Sequence, residues 1–252
     1  MTLKGAFELR RRDMVALIGA GGKTTTLFRL AKELFDDGDK VLVTTTTKIF
    51  KPTKPHIQRL FLVQEVLALL EESRSINRPA IIGAGYGIDD ADKLLGLPAA
   101  WFEALQARGG FDWILIEADG AASRLFKIPS DLEPVIPESC SLTVWTMSVK
   151  ALGKSLDAEH VHRPERAVSL LGLKGSTLIT ADHIVQLVKN PAGCFKGIPR
   201  HSRKIALLNQ ADSPEEIESA RKLARALLPL GIERVVVTSY LNSEPVKDVI
   251  VS

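Results

Sequence analysis

The sequence predicts an α/β protein, a mainly parallel sheet covered by helices on both faces. Three observations lead there. The apolar runs Met14–Ile18 and Phe111–Ala118 show little polar alternation, as strands covered on both sides require. Between such runs, apolar residues recur at helical spacing, as Leu27, Leu30, Ala31 and Leu34 do. Strand and helix patterns alternate almost throughout, the mark of a sheet built from parallel crossovers. At 252 residues, with 45% apolar and 25% charged residues, the chain suits one large domain, read as 1–252 with an insert around 51–110.

Thr2–Leu9 reads as a short helix leading into the first strand, Met14–Ile18. That strand breaks into Gly19-Ala20-Gly21-Gly22-Lys23-Thr24-Thr25 before a helix from about Thr24 to Asp37. Glycines at a strand-to-helix turn let backbone N–H groups approach phosphate oxygens at the positive end of the helix dipole. Gly19, Gly21 and Gly22 form the expected cradle, with Ala20 and Thr25 beside it. Lys23 is placed to reach the outer phosphates and the Thr24 hydroxyl to hold Mg²⁺. The full P-loop pattern has glycine where Leu17 stands. The shorter G-x-x-G-K-T, Gly19 to Thr24, resembles the contracted loop of Mur-type amide ligases. The expected architecture is therefore a P-loop NTPase-like three-layer sandwich, binding ATP or GTP with Mg²⁺.

The second strand, Lys40–Thr44, runs into Thr44-Thr45-Thr46-Thr47-Lys48. Ligands of open parallel sheets lie beyond the carboxyl ends of the strands, so this hydroxyl-rich end faces the glycine turn and Lys48 becomes a second cation for phosphate. Arg59–Val63 and Pro79–Ala84 read as strands, Gln64–Glu72 and Pro98–Arg108 as helices. Gly83, Gly85 and Gly87 read as a flexible turn, since no helix follows them. The strand Phe111–Ala118 closes on Glu117 and Asp119, carboxylates placed to orient Mg²⁺ or a nucleophile opposite the glycine turn. With Lys23 and Lys48 they make the expected catalytic set; Thr24, Glu117 and Asp119 make the metal set.

Ala121–Glu138, proline-punctuated and carrying Arg124 and Lys127, reads as a long loop of the kind that forms lids or holds substrates. Ser141–Met147 is a strand and Val149–Leu156 helical. His160 and His162 lack a third ligand at a telling distance and read as an ordinary loop pair. Helices follow at Pro164–Leu171, at Ala181–Lys189 capped by Thr180, and at Ser213–Leu228 with Ser213 as cap and Glu216 in the box position. The strand Lys204–Leu208 ends in Asn209-Gln210-Ala211-Asp212, like the guanine-reading N-K-x-D of GTPases with glutamine for lysine, so Asn209 and Asp212 are expected nucleotide-binding positions, with the aspartate reading the base edge. Arg234–Thr238 is the expected closing strand.

The net charge of +3 is too small to argue for nucleic acid, and Arg10, Arg11 and Arg12 read as a solvated surface. Cys140 and Cys194 stand far apart without C-x-x-C spacing, which argues against a disulfide framework or zinc knuckle and for a reducing cytoplasm. The apolar stretch after the arginines is short and bracketed by Asp13 and Lys23, unlike an export signal, and no apolar run has the length of a membrane span.

Taken together, G-A-G-G-K-T-T-T, V-T-T-T-T-K, I-E-A-D-G-A, E-P-V-I-P, H-R-P-E and L-N-Q-A-D, in order from Met14 to Asp212, resemble the YqeC family. The resemblance implies a P-loop NTPase type of domain and a role as accessory protein of selenium-dependent molybdenum hydroxylases. The implied partner is the hydroxylase or its cofactor precursor. It also singles out Thr45 among the threonines, and adds Lys127, Glu133, Arg163 and Asn209 to the site. Three activities follow: an NTPase aiding cofactor building or insertion, a small-molecule kinase or ligase acting on a cofactor precursor, and a nucleotide-gated partner-binding switch.

Overall fold

The computed structural model describes residues 1–173 and 177–251. In chain order these are α1 (Leu3–Ala6), β1 (Met14–Gly19), α2 (Lys23–Asp36), β2 (Lys40–Thr45), β3 (Lys48–Phe50), β4 (Arg59–Leu62), α3 (Val66–Arg74), β5 (Ala80–Gly85), β6 (Gly87–Ile88), β7 (Lys93–Leu95) and α4 (Trp101–Arg108). Then come β8 (Trp113–Glu117), β9 (Phe126–Lys127), β10 (Leu142–Ser148), β11 (Val161–His162), α5 (Pro164–Leu171), α6 (Ala181–Lys189), β12 (Arg203–Asn209), α7 (Pro214–Leu227), β13 (Arg234–Thr238) and β14 (Val246–Val251).

Nine strands form the main sheet, in the order β14-β13-β12-β10-β1-β8-β2-β5-β4. Every neighbouring pair is parallel except β13 with β14. The central strand β1 is buried along all six residues, and its pleat divides them between two cores. Met14, Ala16 and Ile18 pack with residues of α3, α4, α6 and α7, whereas Val15 and Leu17 pack with α1 and α2. Helices therefore cover both faces, in three layers. Because the inner strands are parallel, β2, β8, β1, β10 and β12 deliver their carboxyl ends to one edge, and the chemistry-bearing turns gather there.

Local signals hold where they are strong. The Ser213 hydroxyl accepts from Glu216 N–H and the Glu216 carboxylate from Ser213 N–H, closing a capping box on α7. Thr180 caps α6 in the same way with His183.

Elsewhere the structure corrects the sequence reading. Arg234–Thr238 does not close the sheet: β14 follows as its antiparallel edge. The segment after β10 makes only a 3₁₀ turn at Val149–Ala151. Gly83 and Gly85 belong to β5 and Gly87 to β6, so they are strand residues; a Cβ on Gly85 would collide with Leu94. Within 51–110, β4 and β5 extend the main sheet, while β6 and β7 join β3 in a separate small antiparallel sheet. The Ala121–Glu138 segment contains β9, which pairs in parallel with β11. That pairing carries Lys127 and His162 toward the glycine turn.

Candidate functional site

The turn between β1 and α2 is braced from three sides. Ala20 N–H donates to Thr146 O at 2.9 Å, Gly21 N–H to Arg124 O at 3.0 Å, and the Asn209 amide to Gly21 O at 2.8 Å. Gly22, at φ 126°, sits so close to Asn209 that a Cβ would collide with its amide, so only glycine fits both the conformation and the space. The helix begins at Lys23, and the first-turn N–H groups of any helix have no partner within it.

Lys23 is 4% exposed. Its ammonium donates to Gly19 O at 2.6 Å and lies 3.0 Å from Asp119 Oδ1 and 3.7 Å from Glu117 Oε1. Asp119 Oδ2 accepts from Gly19 N–H at 3.0 Å and lies 3.1 Å from Lys127 Nζ. Lys127 is itself buried, held by Gly120 O and by Glu133 Oε2 at 2.9 Å, and Arg163 Nη1 stands 3.0 Å from the same Glu133 oxygen. Three cations and three carboxylates thus balance in a largely dry cluster, the condition under which buried charge is tolerated.

The protonation of the cluster follows from this geometry. Burial works against the Lys23 charge, but Asp119 and Glu117 outweigh it and hold the ammonium above the ordinary lysine range. Glu117 is the more distant carboxylate, so burial dominates and raises its pKa against the pull of Lys23 and Thr24. Partial burial opposes ionisation of Glu133 too, yet the Lys127 hydrogen bond and charge bring it below the usual carboxylate range. Burial, then Arg163 and Lys127, lower His162.

The cluster forms one wall of a cavity of about 760 Å³ over the glycine turn, onto which Thr24, Arg124, His162 and Gln210 also open. The Thr24 hydroxyl donates to Glu117 Oε2 at 2.8 Å. Mg²⁺ is commonly held through one or two carboxylates with substrate phosphates, so this pair fits such an ion. Asp119 accepts from Gly19 N–H through Oδ2 and faces Lys23 and Lys127, while its buried Oδ1 accepts no hydrogen bond among the described residues. Lys48 lies at the rim of the cavity, 60% exposed and 3.1 Å from Asp89, apart from the Lys23 cluster. Thr45 donates to Glu117 O at 2.7 Å and accepts from Thr47 N–H at 3.0 Å, fixing the end of β8.

Both ends of the expected nucleotide-binding motif, Asn209 and Asp212, are engaged within the protein. Asn209 is buried between Gly21 O and the Thr238 hydroxyl, which donates to it at 2.9 Å. Asp212 accepts from Lys150 and from Ser239, each at 2.6 Å. Of the histidine pair, His160 turns to Asp157 at 2.9 Å while His162 lines the cavity. His162 stands in β11 rather than in a loop, a placement that a two-residue strand gives no periodicity to foretell. Among the described residues, no three or more His, Cys, Asp or Glu side chains group to hold a metal, and no helix is long and apolar enough to cross a membrane.

A family model described as YqeC protein matches residues 15–165. This chain belongs to the YqeC family. It is 31% identical over 226 residues to the uncharacterized protein YqeC of Escherichia coli (strain K12), across 90% of this chain and 87% of that one. The span matched by the YqeC model runs from β1 into α5 and so contains the glycine turn, Glu117, Asp119, Lys127, Glu133 and Arg163. Asn209, Gln210 and Asp212 lie beyond it.

Proposed function

We propose that this YqeC protein is a Mg²⁺-dependent nucleoside triphosphatase that serves as an accessory factor in the maturation of a selenium-dependent molybdenum hydroxylase. One observation carries the catalytic part: Lys23, Thr24 and Glu117 meet at the mouth of a glycine turn, inside a cavity, with the lysine charged and dry. The family resemblance motivates the hydroxylase pathway.

The residues divide the work by position. The free N–H groups at the start of α2 receive phosphate oxygens, and Lys23 exchanges its bond to Gly19 O for the outer phosphates. Asp119 keeps that lysine aimed through the move, because it also grips Gly19 N–H. Thr24 and Glu117 supply the metal's protein ligands. When bound, Mg²⁺ neutralises charge on the outer phosphates and orients them.

The test is phosphate release from ATP and GTP, with and without Mg²⁺. The expected result is Mg²⁺-dependent turnover that Lys23→Ala abolishes. Equal turnover by a folded Lys23→Ala protein overturns the reading. For the pathway, cells lacking the protein should lose hydroxylase activity and recover it with the wild-type chain only; recovery with Lys23→Ala contradicts the role.

One feature favours the nucleotide-gated switch as a second reading. Ala122 and Ser123 both hold positive φ, 46° and 57°, in the turn that ends at Arg124. Arg124 O is in turn tied to Gly21 N–H. Strained backbone joined to a phosphate loop is the kind of element a nucleotide reorders. A switch requires a partner to change nucleotide affinity; equal affinity with and without hydroxylase removes that reading.

A further inference from the structure

We infer that Gln210 reads the base of the bound nucleotide and that it selects adenine. This rests on the nucleotide reading above and adds to it the identity of the ligand.

Gln210 follows β12 and opens onto the same cavity as Gly21 and Gly22. Its Oε1 is buried and accepts no hydrogen bond among the described residues. A buried carbonyl oxygen without a donor is costly, and on a side chain that opens onto a cavity a turn of the carboxamide brings that oxygen to a donor from the ligand. Its neighbours are already satisfied: Asn209 braces the glycine turn, and both Asp212 oxygens are taken by Lys150 and Ser239. Among the polar side chains of the Asn209–Asp212 run, Gln210 alone is left with a buried atom seeking a partner.

The order of strands says which part of the nucleotide arrives there. Thr24 and Glu117, which take the metal and the outer phosphates, stand on the β8 side of β1, whereas β10 and β12 lie on the other side. A triphosphate anchored at the glycine turn with its terminal phosphate toward Glu117 therefore extends its base toward β12, where Gln210 sits.

The carboxamide then sets the preference. It offers one acceptor beside one donor. Adenine presents the complement, an exocyclic N–H donor beside a ring-nitrogen acceptor, and glutamine pairs with it in two bonds. Guanine's pairing edge ends in two adjacent donors, which a carboxylate satisfies and a single amide oxygen does not. The nearby carboxylate, Asp212, is held elsewhere.

Calorimetric titration of Mg-ATP and Mg-GTP into the wild-type chain and into Gln210→Leu, Gln210→Asn and Gln210→Glu tests this, with thermal melts to confirm folding. The wild type is expected to prefer ATP by about tenfold or more, and Gln210→Leu to lose about tenfold in ATP affinity while GTP affinity stays level. Gln210→Glu should move the preference toward GTP. Should Gln210→Leu not fold, Gln210→Asn carries the same expected loss, since asparagine tolerates the positive φ of 62° at this position. Equal wild-type affinities, a preference for GTP, or unchanged ATP affinity in the folded variant overturns the assignment and leaves the glycine-turn reading standing. A wild type that binds neither nucleotide overturns both.

Discussion

Replacing Lys127 by methionine removes one charge from the dry cluster and keeps most of the side chain's volume. The lysine is 2% exposed overall and bonds Glu133 Oε2 at 2.9 Å and Asp119 Oδ2 at 3.1 Å, as well as Gly120 O. Breaking a buried ion pair from one side costs about 3–5 kcal/mol, because it strands the other charge. Here Asp119 keeps Lys23 and Glu133 keeps Arg163, which puts the expected loss near the lower figure, about 3 kcal/mol. In a protein of this size that lowers the melting temperature by roughly 6–12 °C. Lys32→Met serves as control: its pairing with Asp36 is 63% and 54% exposed, and its loss should stay within about 0.5 kcal/mol. Urea and thermal denaturation at neutral pH measure both. The acid limb adds a second readout. Glu133 has a folded pKa below its ordinary value, so its contribution is complete above about pH 4.5 and is lost as the pH falls through the lower folded value. The wild type should therefore lose more stability on acidification than Lys127→Met does. A loss below about 1 kcal/mol for Lys127→Met, indistinguishable from a surface pair, refutes the buried cluster.

Asn209→Ala should cost about 1–3 kcal/mol in chemical denaturation, since it leaves Gly21 O and the Thr238 hydroxyl without their partner, and should weaken nucleotide binding through a loosened glycine turn. Thr24 is exposed and its hydroxyl faces Glu117, so Thr24→Ala should melt within a few degrees of the wild type yet lose the gain in nucleotide affinity that Mg²⁺ confers, by titration with and without the ion. The lowered pKa of His162 means that the unfolded chain takes up the proton first as the pH falls. Stability from that residue should decline as the pH drops through about 6.5 toward the folded value, and His162→Gln should flatten the slope in a pH series of melts.

The main architecture was legible because its signals are local. Buried parallel strands announce themselves as apolar runs, and Ser213 with Glu216 or Thr180 before Ala181 mark helix starts by side-chain chemistry alone. The glycine turn, Lys23, Thr24, Glu117 and Asp119 were nameable because residue type, spacing and strand ends converge on one edge of the sheet. What escaped depends on contacts distant in sequence. Two-residue strands such as β9 and β11 have no periodicity to read, so nothing near Lys127 foretold a buried lysine facing Asp119 and Glu133. β14, Val-Lys-Asp-Val-Ile-Val, follows β13 with no helical crossover between them, so the alternation of strand and helix that marks the rest of the sheet does not foretell it. Asn209 shows what a motif leaves out: its spacing marks a nucleotide site, whereas the bond from its amide to Gly21 O depends on a contact 188 residues away in sequence.

Amide hydrogen exchange on the wild-type protein, before and after addition of Mg-ATP, addresses the glycine turn most directly. Slowed exchange centred on Gly21–Thr25, with smaller effects at Glu117 and Gln210, is the predicted pattern. Exchange at those amides that is unchanged at saturating nucleotide, or protection confined to another part of the sheet, contradicts the site.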